Sequence, residues 1–295
     1  MLPRSPLENH MQLQIRSLGG FEFQDFVVAV LYQKYGSEGF SNLRPVRDGG
    51  CDGLIFAEKC AIACYGPANP TVPDLRKKLS ADYKLYSAKW QDAYPNWRFF
   101  VNFDLGPDHI AIAASLHGDG DVLWGLSRLH QLIKELGLGK RIVLCRILNI
   151  PANIFASDVI KDLLDDLMQK RVGSVSINYR SEAPDLEEKV RINFSEHEVD
   201  LMLKMISVSL DAQAEVDEVI RPMGGTDVNA LKIRVMTDFS NMPGNNFSDK
   251  FKSLQMCYAE RYNIGHDDVL QGYIVALLIH MFSLCLIGSD PAREA

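Results

Sequence analysis

Residues 47–67 read RDGGCDGLIFAEKCAIACYGP and hold the side chains best suited to chemistry. Asp48-Gly49-Gly50-Cys51-Asp52-Gly53 is a glycine-bracketed acidic turn. Two short apolar runs, 54–57 and 60–65, are separated by Glu58-Lys59, the pattern of a β-hairpin. Asp52 should therefore open one strand, and Tyr65 should end its neighbour on the same side. In many magnesium-dependent nucleases an acidic residue opens one strand. The next strand then offers an acid or amide and a lysine, one residue apart and so on one face. The carboxylates hold the metal, which activates water and stabilises developing phosphate charge. The same stretch also reads as a plain surface hairpin with an Asp/Gly turn, and spacing alone leaves both readings open.

The elements that must position this hairpin are legible around it. Gly19-Gly20 precedes a run in which Phe23, Phe26, Val27, Val30 and Leu31 follow helical spacing, with Gly36 as a stop. Residues 42–46 are expected to form a strand leading into the acidic turn. Pro73 suits the first turn of a helix that runs to about Trp90. Leu75, Leu79, Tyr83, Tyr86 and Trp90 make its apolar face, and Arg76, Lys77, Lys78, Lys84 and Lys89 cover the remainder. Residues 97–102, WRFFVN, are nearly all apolar, as in an interior strand. Helix, strand, hairpin, helix, strand describes a mixed α/β layer with one sheet and helices on its faces. Strands 42–46, 54–57, 60–65 and 97–103 should be neighbours, with Asp52 and Tyr65 on one rim and Glu22 or Gln24 nearby.

Composition bounds the class. With 295 residues, 47% hydrophobic and 23% charged, the chain has room for one large domain or two ordinary ones. A net charge of −7 argues against coating nucleic acid non-specifically, and leaves room for a local basic groove. The six cysteines, at 51, 60, 64, 145, 257 and 285, form no CxxC pair. The opening MLPRSPLENH lacks an apolar signal core. Reduced, mostly buried thiols and a cytoplasmic location are the expectation.

Beyond the sheet, 108–116 and 127–136 read as helices, 122–124 as a short strand, and 141–150 as strand or helix. Ser157 and Asp158 start a helix to about Lys170. Residues 172–183 lose periodicity, so the boundary is placed there, giving domains 1–180 and 181–295. The second half reads as all-helical. Ser195-Glu196-His197-Glu198 is a capping-box pattern opening a long helix towards Ile220. Further helices follow to about Phe239, over 247–262 and over 267–287. The last is long and nearly uncharged, but its flanks carry Asp267, Asp268 and Asp290 and no nearby lysine or arginine. It is read as the central helix of a bundle, not a membrane span, with His280 as a satisfied core histidine. Methionines 202, 205, 223, 236, 242, 256 and 281 concentrate in this half, suited to core filling or to an oligomeric or partner interface.

Gly20-Phe21-Glu22-Phe23-Gln24-Asp25-Phe26, then DGGCDG, then IACYGP, resembles the restriction-endonuclease-like domains of the Mrr type, related to the PD-(D/E)xK nucleases. The continuation from ACYGP through Lys78, Asp82, Lys84 and Trp90 to WRFFVN is similar to a subgroup found in prokaryotic ABC-three-component defence systems, of which Lamassu systems share the plan. The similarity covers about residues 19–102. It implies a nuclease-fold subunit acting with an ATPase of the SMC/Rad50 kind and a small third subunit, and with DNA. It also implies that Asp52 matches the metal-binding aspartate, with Asp48 as companion and Mg2+ as cofactor. Glu22, Gln24 and Tyr65 complete the candidate catalytic set, and Lys77, Lys78 and Lys84 the candidate DNA contacts.

The chain departs from that family where the chemistry is concentrated. Gln24 stands where the first helix carries a glutamate. Ala63, Cys64 and Tyr65 stand where an acid or amide, a spacer and a lysine are expected. Alanine offers no metal oxygen, and tyrosine no fixed positive charge. Lys59 falls in the turn at the far end of the hairpin, so Lys77, Lys78 or Lys84 would have to supply the charge. Three functions follow: a degenerate nuclease fold that binds DNA or a partner, an active Mg2+-dependent endonuclease with a rearranged site, or an adaptor for an SMC-like ATPase.

Overall fold

The computed structural model describes residues 6–43, 49–118, 120–169, 185–222, 224–262, 268–284 and 287–288. The chain divides into two compact units, Met1–Pro151 and Ala152–Ala295. The boundary expected near 180 lies among residues 170–184, outside the described set. The division falls earlier because the helix Ala152–Gln169 packs with the helices that follow it.

The first unit is a mixed five-stranded sheet flanked by helices. Helices α1 (Pro6–Ser17) and α2 (Gly20–Gly39) lead to β1 (Phe40–Asn42), β2 (Gly53–Ile55) and β3 (Cys60–Tyr65). Then come α3 (Val72–Lys89), β4 (Asn96–Val101), α4 (Pro107–His117), β5 (Leu123–Trp124), α5 (Leu126–Lys134) and α6 (Leu138–Ile147). The strands lie in the order β1-β2-β3-β4-β5. β1, β2 and β3 are antiparallel neighbours, while β3, β4 and β5 run parallel. Interior β2, β3 and β4 carry the longest buried runs, as a doubly covered sheet demands. Leu75, Leu79 and Tyr86 of α3 and Ile112 and Ala113 of α4 pack with Ala61, Ala63, Trp97, Phe99 and Val101 in one core. α2 also packs on β3, burying Phe23, Phe26, Val27, Val30 and Leu31.

Several expectations shift in register or type. The first strand is Phe40–Asn42, not 42–46, because Phe40 is the buried partner of Ile55; residues 44–48 are outside the described set. α2 kinks at Gly36 (φ 73°, ψ 175°), the expected stop, and adds one turn to Gly39. The apolar run 141–150 lies mostly in helix α6. α1 is an addition to the expected elements, since its stretch has no obvious apolar run. It buries Leu7, Met11 and Ile15, a four-residue repeat on one face.

The second unit is helical. α7 (Ala152–Gln169), α8 (Leu186–Asn193), α9 (Glu196–Val208), α10 (Leu210–Ile220), α11 (Gly225–Asn241), α12 (Phe247–Arg261) and α13 (Asp268–Ser283) make it up. α13 is its centre: Ile274, Ala276, Leu277, Leu278, Ile279, Met281 and Phe282 are all buried, against α7, α10 and α12. No helix among the described residues is long and apolar enough to cross a membrane. His280 Nδ1 lies 2.8 Å from Asp217. Met202 and Met281 fill the core, whereas Met256 is exposed.

Two local expectations are corrected here. The long helix towards Ile220 breaks at Ser209, whose hydroxyl donates to Ile206 O while Gln213 Nε2 donates to the same carbonyl. These side chains compete for a backbone acceptor, as serine does inside helices. Ser195 is not a capping box in the usual sense: its side chain accepts no backbone bond, and its hydroxyl donates to Glu198 instead.

Glu198 also accepts from Ser248 and Lys252 and so ties α9 to α12. Those bonds, Lys252 foremost, hold its carboxyl at about 2, well below the ordinary 4.5. A carboxyl depressed in the fold stabilises it above the unfolded value and ceases to as pH falls through the folded value. Glu198→Gln should therefore lower the melting temperature near neutral pH. The gap to wild type should close as pH is taken from about 4.5 down towards 2. A gap that stays constant on acidification would contradict this role.

Candidate functional site

The hairpin places Asp52 where the sequence reading puts it, at the start of β2 and beside the end of β3. Asp52 N donates to Ile62 O at 2.7 Å, and Cys64 N donates to Asp52 Oδ2 at 2.6 Å. Leu43 N donates to Asp52 O at 2.9 Å. One residue thus bridges the entry to β2, the end of β1 and the last part of the ladder in β3. Tyr65, paired in register with Val101, stands on the same rim. Lys59, with φ 45°, lies in the turn at the opposite end, where Asn96 N donates to its carbonyl.

The first turn of α2 reaches this rim through the backbone. Gly20 N donates to Gly66 O at 2.8 Å, and Gly66 is so close to Phe23 that a Cβ there would stand 2.7 Å from Phe23 Cβ. Asn102 closes the neighbouring gap. Its buried Nδ2 donates to Leu18 O at 2.8 Å, Arg16 O at 3.2 Å and Pro67 O at 3.3 Å. Glu22 is exposed and Gln24 half-buried, and no hydrogen bond or ion pair joins either side chain to Asp52.

The acidic turn is clamped onto α3. Gly49 (φ 73°) and Gly50 (φ 74°) both adopt left-handed backbone. A Cβ on Gly50 would stand 2.9 Å from Asp82 O and 2.9 Å from Leu85 Cβ. A Cβ on Gly49 would stand 2.5 Å from Lys89 Cδ. The two glycines are required by handedness and by close approach together. They set the Asp52 turn against the helix turn that carries Asp82.

Asp82 is buried, and both of its oxygens hold the ammonium of Lys78, at 2.8 and 2.9 Å. Asp52, Lys78 and Asp82 all act on Cys64. Burial first, then the Asp52 carboxylate, push its thiol well above the ordinary range, while Lys78 opposes. Burial and Asp74 raise the Tyr65 phenol, again with Lys78 opposing. At this pitch the Cys64 sulfur is a protonated thiol and a poor nucleophile. Lys78 is therefore the one among the candidate lysines that the fold brings to the Asp52 rim. Lys77 and Lys84, seven residues apart, lie on the exposed side of α3 with Arg76, and none of the three makes an ion pair or hydrogen bond among the described residues.

The donors at the rim fit a divalent metal poorly. Mg2+ demands oxygen ligands in near-octahedral array, usually carboxylates and waters. Asp52 Oδ2 is bound by a backbone N–H, Asp82 is bound by Lys78, and Ala63 contributes only a buried methyl group. Among the described residues no group of three His, Cys, Asp or Glu side chains could hold a metal ion. Asp48, the expected companion of Asp52, lies outside the described residues. No protein-family model, curated protein or solved structure matches the chain.

Sequence reasoning missed Asp82 and Asn102 as parts of the site. The Lys78/Asp82 spacing of four is a visible signal, but only the burial of Asp82 gives it weight. The clamp yields a prediction. Gly50→Ala should destabilise the full chain by about 2 kcal/mol or more, from left-handed strain of ~1–2 kcal/mol plus the clash with Asp82. Gly272→Ala, inside α13 with open space around it, should be neutral or stabilising by up to ~1 kcal/mol. Equal effects of the two substitutions in urea denaturation would contradict the clamp.

Proposed function

We propose that the first unit is a restriction-endonuclease-like domain whose altered site binds DNA rather than cutting it, within a prokaryotic ABC-three-component (Lamassu-like) defence complex. The observation that carries this reading is the placement of Asp52 on the hairpin rim beside α3, with Lys78 at the rim and Lys77 and Lys84 exposed on the same helix and without an ion pair among the described residues. In an acidic chain of net charge −7, unpaired lysines grouped on one helix face are suited to a phosphate backbone. Lys77 and Lys84 stand two turns apart, about 10 Å along the axis at ~1.5 Å per residue. The fit of the rim to a metal is poor, which favours binding over hydrolysis.

A second reading, an active Mg2+-dependent deoxyribonuclease, is favoured by one observation: Lys78 stands near Asp52 and Tyr65, where a relocated lysine would be needed. It would further need Asp48 or Glu22 to join Asp52. In this reading Asp52→Ala abolishes cleavage.

The helical unit is the proposed dock for the SMC-like ATPase and the small third subunit. Leu201, Val208 and Leu210 are exposed on α9 and α10, and exposed large apolar side chains are what a docking partner would cover.

Fluorescence anisotropy with labelled duplex DNA tests the central reading. Lys77→Ala/Lys84→Ala should weaken binding and reduce the slope of log affinity against log salt by about 2, one unit for each phosphate no longer neutralised. An unchanged slope would remove α3 from the interface. Robust cutting that survives Asp52→Ala would show that the chemistry lies elsewhere in the chain.

A further inference from the structure

Among the described residues, the turn that carries Asp52 packs on the turn of α3 that carries the Lys78–Asp82 ion pair, on a scaffold where the resemblance implies a metal. Asp82 is buried, so its charge has to be neutralised within the protein. Lys78 does so with two short bonds, to Oδ1 at 2.9 Å and Oδ2 at 2.8 Å. The lysine side chain is 43% exposed while the Asp82 side chain is 8% exposed, so the ammonium sits between a buried anion and solvent. An ammonium has three donors and no acceptor. Two point at Asp82, which leaves the third for an incoming oxygen. Asp52 is meanwhile held from the other side by the Cys64 N–H at 2.6 Å. Gly50, two residues before Asp52, packs on the backbone of Asp82, so the acidic turn and the ion pair share one turn of α3. A divalent ion arriving here would meet a fixed positive charge, with Asp52 Oδ2 and both Asp82 oxygens already engaged.

We infer that Lys78 is a resident cation of this rim, held by Asp82 where a divalent metal would otherwise be expected, and that the rim takes a phosphodiester without metal. The inference rests on the reading of the rim as a DNA-binding site. Lys78 is the contact group and Asp82 its positioning residue. Loss of Asp82 should release the ammonium into solvent, weakening binding although no group that touches the ligand is removed.

The test uses the full chain and two independent readouts. The first is affinity for a fluorescein-labelled DNA duplex, by anisotropy, in EDTA and in excess MgCl2 at matched ionic strength. The second is calorimetric titration with MnCl2 alone. The expected results are affinities within about twofold in EDTA and MgCl2, a loss of about tenfold in Lys78→Met under both conditions, and no saturable Mn2+ binding. Lys78→Arg should restore part of the loss. Two results would overturn the inference: stoichiometric Mn2+ binding by the wild type that Asp52→Asn abolishes, or DNA affinity that collapses in EDTA. Should the duplex fail to bind under either condition, the DNA reading falls, and the Mn2+ titration by itself decides whether Lys78 has replaced a metal. If Lys78→Met does not fold, the wild-type measurements still decide.

Discussion

Asp52 bonds to the chain on three sides, and much of the first unit depends on it. Its N–H and carboxylate join the backbone of β3 on either side of Ala63, and its carbonyl receives Leu43 from the strand before. Backbone donors at a strand entry need partners, and an unpaired one buried there costs as much as a lost hydrogen bond. Asp52 supplies a side-chain acceptor where the ladder between β2 and β3 runs out. This gives the aspartate a structural role before any chemistry is considered. Gly50 then brings the same turn against α3, and Gly66 brings α2 to the end of β3. Three elements distant in sequence meet at one rim because two glycines leave no side chain in the way.

Charge follows from that geometry. α3 turns Leu75, Leu79 and Tyr86 into the core and carries Asp82 in with them. A carboxylate in that position must be paired, and the lysine one turn earlier pairs with it. The rim therefore acquires a cation as a consequence of packing. The outer side of the same helix is under no such demand, and Arg76, Lys77 and Lys84 remain unpaired there among the described residues. One helix thus presents a pinned cation at the rim and free cations on its outer surface. At the far end of the sheet Glu58 gathers Tyr35 and Arg98 instead, and burial with the Glu58 charge raises the Tyr35 hydroxyl to about 12. That network closes the hairpin turn.

The rim is legible in the sequence because its signals are local. Apolar runs either side of Glu58-Lys59 define a hairpin, and a hairpin fixes which ends meet. The apolar face of α3 is legible from its spacing, as is the burial of α13 from its uniformly apolar run. What stays hidden depends on contacts between distant residues. β1 begins at Phe40 because Ile55 faces it, which no property of residues 40–46 reveals. The break at Ser209 depends on Gln213 reaching back to Ile206, one acceptor contested by two side chains. The run 141–150 is apolar without clear period, so its helical state is set by packing. By spacing alone Lys78 and Asp82 are one more exposed i,i+4 pair, and only the depth of Asp82 separates them from the others.

The central claim, that α3 is the nucleic-acid face and Lys78 its pinned cation, is tested most directly by lysine acetylation footprinting read by mass spectrometry. Without DNA, Lys77 and Lys84 should react freely, and Lys78 should react more slowly because Asp82 holds it. With duplex DNA, Lys77, Lys78 and Lys84 should all be protected, while Lys59, at the opposite end of the hairpin, should be unchanged. Equal reactivity of the four lysines with and without DNA, or protection confined to Lys59, would contradict the account.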